Sequence, residues 1–483
     1  GERGIYQSND GGETWDRILH VSENTGFSDL WMDPRNPDVM YASAHQRRRH
    51  VWTYLSGGPE SAIYKTTDGG KSWRKIMSGL LKSDLGRIAL AVSPANPDVV
   101  YAMVEGFDEK HGGFYRSNNM GESWTRQSDY FTSGNYYVEL IPDPNDENRV
   151  FSMDTWLHHT EDGGKTFKRT GEKSKHVDNH AMWVDPLNTN HWLVGCDGGL
   201  YETWDAANNW KFYQNLNITQ FYRVAVDYDE PFYNVYGGTQ DNNTLGGPSR
   251  TTNAHGISNF DWHITRGGDG FEPAVDPTNP DIVYSQSQYG WLVRYNRKSG
   301  EKVNIKPIER KGEDAYRWNW DAPLLISPHN PKRLYFAANK VFMSDDRGDS
   351  WSVVSEDLSQ QIDRNKLKVM GTTWGPDAVA LHKSTTIYGN LAALEESPVT
   401  PELVYAGTDD GLIHRTSDLK TWTKLSSFTG VPAGTYVNDI LCDRYDENIV
   451  YAAFNNHKNG DFKPYILKSI DKGKSWTSIT GDL

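Results

Sequence analysis

The chain has 483 residues, which is too long for one ordinary hydrophobic core, so two domains or one long array of repeats are expected. Its 18 tryptophans and 26 tyrosines exclude a disordered chain despite a mean hydropathy of −0.72, because disordered chains are poor in aromatic residues. The net charge of −14 argues against a nucleic-acid partner, which requires a basic surface, and no apolar run long enough for a transmembrane segment is present.

An eight-residue motif, Ser/Thr-x-Asp-x-Gly-x-Ser/Thr-Trp/Phe, recurs along the chain. Copies or close variants occur at Ser8–Trp15, Thr66–Trp73, Ser117–Trp124, Thr160–Phe167, Thr203–Trp210, Ser344–Trp351, Thr416–Trp422 and Ser469–Trp476. The Ser/Thr and Asp side chains can hydrogen-bond to backbone groups two or three residues on, and the Gly allows a positive φ. We therefore expect each motif to close a hairpin, with its aromatic residue packed between neighbouring units.

Each motif belongs to a longer repeat of four strands and about 40–50 residues, which is typical of a β-propeller blade. The third strand runs into the motif and the fourth leaves it. We predict an all-β protein with one partial blade followed by nine complete blades. The partial blade is 1–21, and the complete blades are 26–80, 83–130, 134–170, 176–215, 218–265, 268–310, 318–356, 374–427 and 433–481.

These blades could form one large ring or parts of two seven-bladed rings. Residues 1–21 supply only the last two strands of a blade, and neither end of the chain supplies the first two. We therefore favour two incomplete propellers. The expected domains are 1–215, the C-terminal blades of a first propeller whose N-terminal part is missing, and 216–483, a second propeller that is incomplete at its C-terminus.

Polar loops on three successive blades form the candidate functional site. In a propeller, the loop before the first strand and the loop between the second and third strands open on one face, opposite to the motif. The residues expected there are His176, Asp178, His180 and Asp197, then Gln240, Asp241 and Asn242, and then Asp269. An Asp-Gly or Gly-Gly pair alone is only a turn signal, but the concentration of carboxylates and imidazoles indicates a ligand or active site.

Three chemistries could use this set. Glycoside hydrolysis needs two carboxylates that flank the scissile bond. The catalytic candidates are Asp197, Asp241 and Asp269. A divalent metal such as Ca²⁺ or Zn²⁺ could be bound by His176, Asp178 and His180, which alternate along one expected strand, and Asp197 could join them. The third chemistry is recognition of a sugar or peptide, and the ligand-binding candidates are His176, Asp178, His180, Gln240 and Asn242.

Two other features bear on a ligand. The run Arg47–His50 lies in a loop of blade 26–80 on the same face, where it could bind an anionic group or form only a solvated loop tip. Several tryptophans outside the motifs could stack on sugar rings or pack between blades. They are Trp204, Trp291, Trp318, Trp320 and Trp374.

The recurring motif is identified as the Asp-box, or BNR repeat, and resembles that of sialidases, sortilin-type receptors and xyloglucan-active glycoside hydrolases. Taken whole, the chain resembles large bacterial proteins known as BNR-repeat glycosyl hydrolases or sortilin (VPS10) N-terminal-domain proteins. The segments that carry this resemblance are Gln46–His50, His176–His180, Gly195–Gly199, Gly238–Asn242, Gly267–Gly270 and Asp461–Tyr465. The resemblance implies a double propeller.

The looser resemblance to xyloglucan-active enzymes implies one catalytic aspartate in each of two facing rings, on loops comparable to those of Asp197 and Asp241. The arginine triad and Tyr/Glu pair of sialidases are not recognisable in the sequence. We expect an extracellular, periplasmic or cell-surface protein that cleaves or binds a polysaccharide at the cleft between propellers. The alternative is a non-catalytic sortilin-like propeller that binds a peptide, a glycan or a protein partner.

Overall fold

The computed structural model describes residues 2–108, 110–133, 135–216 and 218–483. Within these ranges the regular structure consists of β-strands and short 3₁₀ turns. The strands form nine four-stranded sheets and two two-stranded sheets. Each four-stranded sheet is antiparallel with its strands in chain order, as in a propeller blade. The prediction of an all-β protein with Asp-box blades is therefore confirmed.

The first half of the chain supplies twenty strands. They are β1 (Ile5–Gln7), β2 (Asp16–Leu19), β3 (Thr25–Asp33), β4 (Asn36–Gln46), β5 (Arg48–Arg49), β6 (Tyr54–Leu55), β7 (Ala62–Thr66), β8 (Arg74–Lys75), β9 (Ile88–Val92), β10 (Val100–Val104), β11 (Gly113–Ser117), β12 (Thr125–Ser128), β13 (Glu139–Pro142), β14 (Val150–Met153), β15 (His158–Thr160), β16 (Lys168–Arg169), β17 (Asn179–Val184), β18 (Trp192–Cys196), β19 (Gly199–Thr203) and β20 (Lys211–Phe212). β1 and β2 form the partial blade, and the hairpin β5–β6 extends from the sheet β3-β4-β7-β8.

The second half supplies twenty more. They are β21 (Arg223–Val226), β22 (Asn234–Gly238), β23 (Thr244–Pro248), β24 (His263–Arg266), β25 (Ala274–Val275), β26 (Ile282–Ser287), β27 (Trp291–Asn296), β28 (Lys302–Asn304), β29 (Leu324–Ile326), β30 (Leu334–Ala337), β31 (Val341–Ser344), β32 (Ser352–Val353), β33 (Leu391–Glu396), β34 (Val404–Thr408), β35 (Ile413–Thr416), β36 (Thr423–Leu425), β37 (Tyr436–Cys442), β38 (Val450–Asn455), β39 (Tyr465–Ser469) and β40 (Thr477–Ser478). The 3₁₀ turns are Asn259–Asp261, Gln288–Gly290, Arg364–Lys366 and His457–Asn459. Among the described residues, no helix is long and apolar enough to cross a membrane.

The core lies between the faces of successive sheets, and aromatic residues of the second strands form its centre. Fully buried members are Tyr41, Tyr101, Tyr236, Tyr284, Tyr335 and Tyr405. Tyr101 shares one apolar cluster with Phe114 of its own sheet and with Leu140 of the next. Burying a large apolar side chain stabilises a fold by about 1.5–3 kcal/mol, so contacts between sheets account for much of the stability.

The Asp-box is a hydrogen-bonded clasp between the third and fourth strands. In Thr66–Trp73, the Thr66 hydroxyl donates to Asp68 Oδ1 at 2.7 Å and accepts from the backbone N–H of Gly70 at 3.0 Å. The Asp68 carboxylate accepts from the backbone N–H of Ser72 at 2.9 Å and from its hydroxyl. The hydroxyl-to-Asp (or Asn) contact recurs in all eight copies. These bonds, led by that from the Ser72 hydroxyl, lower the pKa of Asp68 to about 2.

Thr66→Val is expected to lower the free energy of unfolding by about 1–3 kcal/mol, because the buried Gly70 N–H loses its acceptor. Denaturant unfolding followed by tryptophan fluorescence measures the change. The control is Thr125→Val at an exposed strand position, which is expected to be nearly neutral. Equal stability of the two variants would contradict the structural role of the clasp.

The terminal tryptophan of the box joins one sheet to the sheet before it. The indole N–H of Trp124 donates to the Ile76 carbonyl at 2.8 Å, and that of Trp422 donates to the Val354 carbonyl at 2.8 Å. The indole N–H of Trp351 donates in the same way to the carbonyl of Ile305, the residue directly after β28, at 2.7 Å. The expectation that the box aromatic packs between neighbouring units is confirmed for these boxes, but not for the first box, in which Trp15 is 60% exposed and donates to the Gly12 carbonyl of its own turn.

The chain divides into two compact units. The first comprises Gly1–Arg49, Thr53–Asn217 and Asn365–Ser384, and the second comprises His50–Trp52, Ile218–Arg364 and Thr385–Leu483. The assignment of 1–215 and 216–483 to two separate propellers stays a prediction.

Segment Asn365–Ser384 packs with the first unit, although it lies between β32 and β33 in the sequence. The backbone N–H of Ser56 donates to the Val379 carbonyl at 3.0 Å, and the backbone N–H of His382 donates to the Tyr54 carbonyl at 3.0 Å. Tyr54 and Val379 also share a small buried apolar cluster. No pattern in the sequence predicted this packing.

Candidate functional site

His180 and Asp197 lie at the same end of the sheet β17–β20. His180 is near the start of β17, and Asp197 is in the tight turn between β18 and β19. His180 Nε2 lies 2.9 Å from Asp197 Oδ1, and the two side chains are 42% and 28% exposed. A partly exposed carboxylate paired with an imidazole can hydrogen-bond a ligand or transfer a proton.

Tyr137 and Asp178 complete this group, which we call the His180 cluster (Tyr137, Asp178, His180 and Asp197). The Tyr137 ring stacks on His180 with 5.4 Å between centroids, and its hydroxyl donates to Asp178 Oδ1. Burial and this bond raise the pKa of Tyr137 above its usual value. Carboxylate oxygens of Asp178 and Asp197 lie within 4.8 Å of each other. The cluster therefore presents two neighbouring carboxylates.

A buried ion pair fixes the loop that carries Asp178. Lys175 Nζ lies 3.0 Å from Glu172 Oε1, and the two side chains are 0% and 1% exposed. Lys175 also donates to the His176 carbonyl at 2.8 Å and to the amide oxygen of Asn179. Glu172 accepts from Asn179 Nδ2 at 3.0 Å. Because these groups flank Asp178 in the sequence, the network determines where its carboxylate lies.

The structure does not bring the three predicted metal ligands together. His176 Nδ1 lies 2.8 Å from the Val177 carbonyl, and its side chain packs over Gly198, where an added Cβ would lie 2.4 Å from His176 Cβ. Among the described residues, His176, Asp178 and His180 do not form a set of ligand atoms within 4.8 Å. Asp178 lies near Asp197 instead, at a spacing that one Ca²⁺ could bridge with bonds of about 2.3–2.6 Å. Metal binding stays a prediction.

In the second unit, the candidate loops also contact each other. The backbone N–H of Asp241 donates to Asp269 Oδ1 at 3.2 Å, and the backbone N–H of Asp269 donates to Gln288 Oε1 at 3.1 Å. The side-chain amide of Asn242 donates to the Gln240 carbonyl at 3.2 Å. Asp269 is only 7% exposed, so it supports the Asp241 loop from beneath. Asp241 itself has a left-handed backbone with φ 60°.

Tyr222 is a binding candidate that the sequence analysis missed. Its side chain is 45% exposed, its hydroxyl donates to Gln240 Oε1, and its ring stacks on Phe271 with 5.1 Å between centroids. An exposed aromatic ring beside polar side chains suits a sugar face. The sequence could have indicated Tyr222 as a binding residue, because it directly precedes β21 and so lies in a loop on the candidate ligand face. Of the predicted platforms, Trp318 is buried in the core.

Trp204 packs on His191 with 3.4 Å between centroids. Trp320 packs edge-on against Tyr289 and Phe271, at 5.0 Å and 5.9 Å between centroids. His191 therefore covers one face of Trp204, and two aromatic rings of the protein hold Trp320.

Of four acidic residues at the first strands of the second unit, the sequence indicated Asp321 as an extension of the ligand face, whereas Glu272, Glu395 and Asp439 were missed. Glu272 precedes β25, Asp321 precedes β29, and Glu395 and Asp439 lie on β33 and β37. Arg223 Nε on β21 lies 3.3 Å from Asp321 Oδ2 and 3.7 Å from Glu272 Oε2. Burial raises the pKa of Glu272 to about 7 and that of Glu395 to about 7. The sequence feature that could have identified these residues is an acidic side chain in or directly beside each short first strand.

Comparison with known proteins places these observations in context. The family model described as "Sortilin-Vps10: Sortilin, neurotensin receptor 3" matches residues 3–155. Vacuolar protein sorting/targeting protein 10 of Colletotrichum graminicola is 28% identical over 214 residues, which are 40% of this chain and 12% of that protein. A xyloglucanase of Paenibacillus sp. is 24% identical over 240 residues, 45% of this chain and 22% of the enzyme.

The oligoxyloglucan-reducing end-specific xyloglucanase of Emericella nidulans is 23% identical over 339 residues, 62% of this chain and 39% of the enzyme. Among solved structures, a GH74 enzyme from Niastella koreensis matches with a TM-score of 0.35 and 14% identity, over 99% of this chain and 75% of that chain. The GH74 xyloglucanase from Xanthomonas campestris matches with a TM-score of 0.35 and 13% identity, over 99% and 76%.

The chain is distantly similar to sortilin-type (VPS10) proteins and to xyloglucanases. The predicted resemblance to sortilin-type and xyloglucan-active proteins is thereby confirmed. The matched regions span 12%, 22% and 39% of the length of the three curated relatives described above.

Proposed function

We propose that the protein is a secreted or envelope-associated, glycoside-hydrolase-like β-propeller protein that acts on a polysaccharide. The observation that carries this proposal is the His180 cluster, in which Asp178 and Asp197 present carboxylate oxygens within 4.8 Å of each other. Glycoside hydrolysis uses two carboxyl groups, separated by about 5–5.5 Å in retaining enzymes. The similarity to proteins named xyloglucanase supports xyloglucan as the first substrate to test.

In this proposal Asp197 is the acid–base residue, because its bond to His180 supplies a proton partner and its side chain is open to a ligand. Asp178 is the second carboxylate, kept in place by the Tyr137 hydroxyl. Asp241 is the candidate catalytic carboxylate of the second unit, and Asp269 positions its loop.

Asp197→Asn is expected to lower the rate of polysaccharide cleavage by at least about 100-fold, because the amide cannot exchange a proton. The assay uses the full chain with xyloglucan and other β-glucans and measures new reducing ends. Asp178→Asn and Asp241→Asn are assayed beside it.

The matched control is Asp185→Asn, because it removes the carboxylate of a second His–Asp pair in the same blade, at the opposite end of the sheet. Its partner is His191, with 3.1 Å between Nδ1 and Oδ2. This variant is expected to keep its activity. Full activity of Asp197→Asn would contradict the proposal. Loss of wild-type activity with a chelator would instead assign Asp178 and Asp197 to a metal.

The family-model match over residues 3–155 supports a second candidate function, the binding of a peptide or protein without catalysis. It predicts no cleavage of any polysaccharide, together with saturable binding of a ligand that Asp197→Asn leaves intact or weakens. Binding measured by calorimetry on the same variants separates the two candidates.

A further inference from the structure

Four arginine side chains of the first unit converge around the hairpin β5–β6. They are Arg3, Arg47, Arg48 and Arg49. Arg3 Nη1 donates to the Asn24 carbonyl at 2.8 Å, and Arg48 Nη2 donates to Asn24 Oδ1 at 2.9 Å. Two guanidinium groups thus share one neutral residue. The loop is a packed structure, whereas the sequence left open a solvated tip.

The other two arginines lie against a buried ring. The guanidinium carbons of Arg47 and Arg49 lie 5.2 Å and 4.9 Å from the centroid of Tyr54, whose side chain is 0% exposed. Arg47 Nε donates to the Tyr54 hydroxyl at 3.4 Å. The ring attracts both cations through its π face but carries no compensating charge.

Charge compensation at this position is weak, because burial and the neighbouring arginines outweigh Glu23, which raises the pKa of Arg3. Across the described ranges, none of the four guanidinium groups lies within 4.0 Å of a carboxylate oxygen. Burial, together with the neighbouring Arg48 and Arg47, lowers the pKa of Arg3 below its usual value. Like charges held together in a protein of net charge −14 favour binding of an anion, which removes their repulsion.

Unfilled hydrogen-bond donors are present in the same place. Arg49 Nη2 donates to Asn135 Oδ1 at 3.1 Å. In the described part of the chain, Arg49 Nε and Asn135 Nδ2 are buried and have no acceptor. A buried donor without an acceptor destabilises the folded protein, and an oxygen of a bound group would supply the missing acceptor.

We infer that these four arginines and Asn135 form a binding site for the anionic group of a saccharide, either a carboxylate or a sulfate ester. Guanidinium groups bind both oxyanions through paired N–H donors. The choice of a saccharide rests on the proposed function, because Asn135 is two residues from Tyr137 of the His180 cluster. A charged sugar unit of an acidic polysaccharide would therefore bind beside that cluster, whereas xyloglucan, which is neutral, would not use this site.

The test measures binding of sodium glucuronate and of inorganic sulfate to the full chain by calorimetry, with glucose as the uncharged comparison. The double variant Arg47→Gln/Arg49→Gln is expected to lose at least ten-fold in affinity for one or both anions. The matched control is Arg74→Gln, because Arg74 pairs with Glu122 and lies outside the cluster. It is expected to bind as the wild type does, and glucose is expected not to bind.

A second variant distinguishes loss of anion binding from loss of the folded structure. Arg49→Lys keeps the charge but loses the paired donors, so it is expected to retain the wild-type circular dichroism spectrum with a smaller loss of affinity. Preference for glucuronate indicates a uronate unit, and preference for sulfate indicates a sulfate ester. Equal affinity of the double variant and the Arg74→Gln control would overturn the inference. Tighter binding of an acidic peptide than of either anion would overturn the saccharide assignment.

Failure of this inference is distinguishable from failure of the proposed function. Anion binding is measured without cleavage, and Asp197→Asn is expected to keep it. Cleavage that depends on Asp197, combined with no binding of glucuronate or sulfate, would overturn the anion site alone. Arginine-dependent anion binding without any cleavage would overturn the catalytic proposal alone.

Discussion

Lys175→Met is expected to lower the free energy of unfolding by about 3–5 kcal/mol, because it leaves the Glu172 carboxylate buried without its cation. Methionine fills a similar volume, so the loss reports mainly on charge and hydrogen bonding. Chemical denaturation monitored by tryptophan fluorescence measures the change. The Asp178 loop loses the bonds to the His176 carbonyl and to Asn179, so polysaccharide cleavage is expected to fall as well.

The control for this variant is Lys472→Met, which removes a cation from an ion pair of similar length at a more exposed position. Lys472 Nζ lies 2.7 Å from Glu447 Oε1, and the side chains are 30% and 36% exposed. Exposed pairs contribute about 0–1 kcal/mol. Equal destabilisation by the two substitutions would show that burial of the Glu172–Lys175 pair does not matter.

The second expected result concerns pH. Glu272→Gln combined with Glu395→Gln is expected to raise the unfolding temperature above neutral pH. Burial raises the folded-state pKa of both carboxyls from 4.5 to about 7. A raised folded pKa gives a stabilising contribution that is complete below the unfolded pKa of 4.5 and is lost as the pH rises through about 7. Glutamine stays neutral at every pH and avoids this loss.

Thermal unfolding between about pH 5 and about pH 8 measures the effect. The wild-type unfolding temperature is expected to fall across this range more steeply than that of the double variant. Arg223 opposes the rise in the pKa of Glu272, whereas Asp321 and Asp439 add to it. Asp439, Glu272 and Glu396 act in the same direction on Glu395.

The exposed control for the pH profile is Glu301→Gln in the same unit, which is expected to leave the slope unchanged. Parallel wild-type and double-variant profiles would contradict the placement of Glu272 and Glu395 in a shared acidic environment.

The blades were predictable because their signal is local. An Asp-box fixes its own turn through contacts within eight residues, so its residues predict a clasp without knowledge of any partner. The grouping of Asp241 with Asp269 was predictable for a related reason. Antiparallel strands in chain order bring the loops before first strands and after second strands to one end of the sheet, whatever the side chains are.

The remaining features depend on contacts between distant positions. The Tyr137 ring contacts His180 because adjacent blades bring two loops together. The alternation of polar and apolar residues along a strand does not predict a contact between loops of different blades. The alternation of a strand indicates which side chains face inward, but it does not show that Lys175 ends beside Glu172 or that Glu395 faces other carboxylates. The predicted alternation of His176, Asp178 and His180 failed because β17 begins only at Asn179 and Asp178 has a left-handed backbone with φ 64°, whereas the expected proximity of Asp197 to His180 is present.

The bond from the box indole to the preceding blade ends on a main-chain carbonyl, as at Trp124 and Ile76. Every residue type has that acceptor, so the bond places no demand on the side chains of the neighbour. A blade can therefore exchange its loops, or be replaced by a copy of another blade, without re-fitting the residues at this joint. Because this bond between neighbouring blades does not depend on the neighbour's side chains, the loops can change in sequence while the blades stay joined.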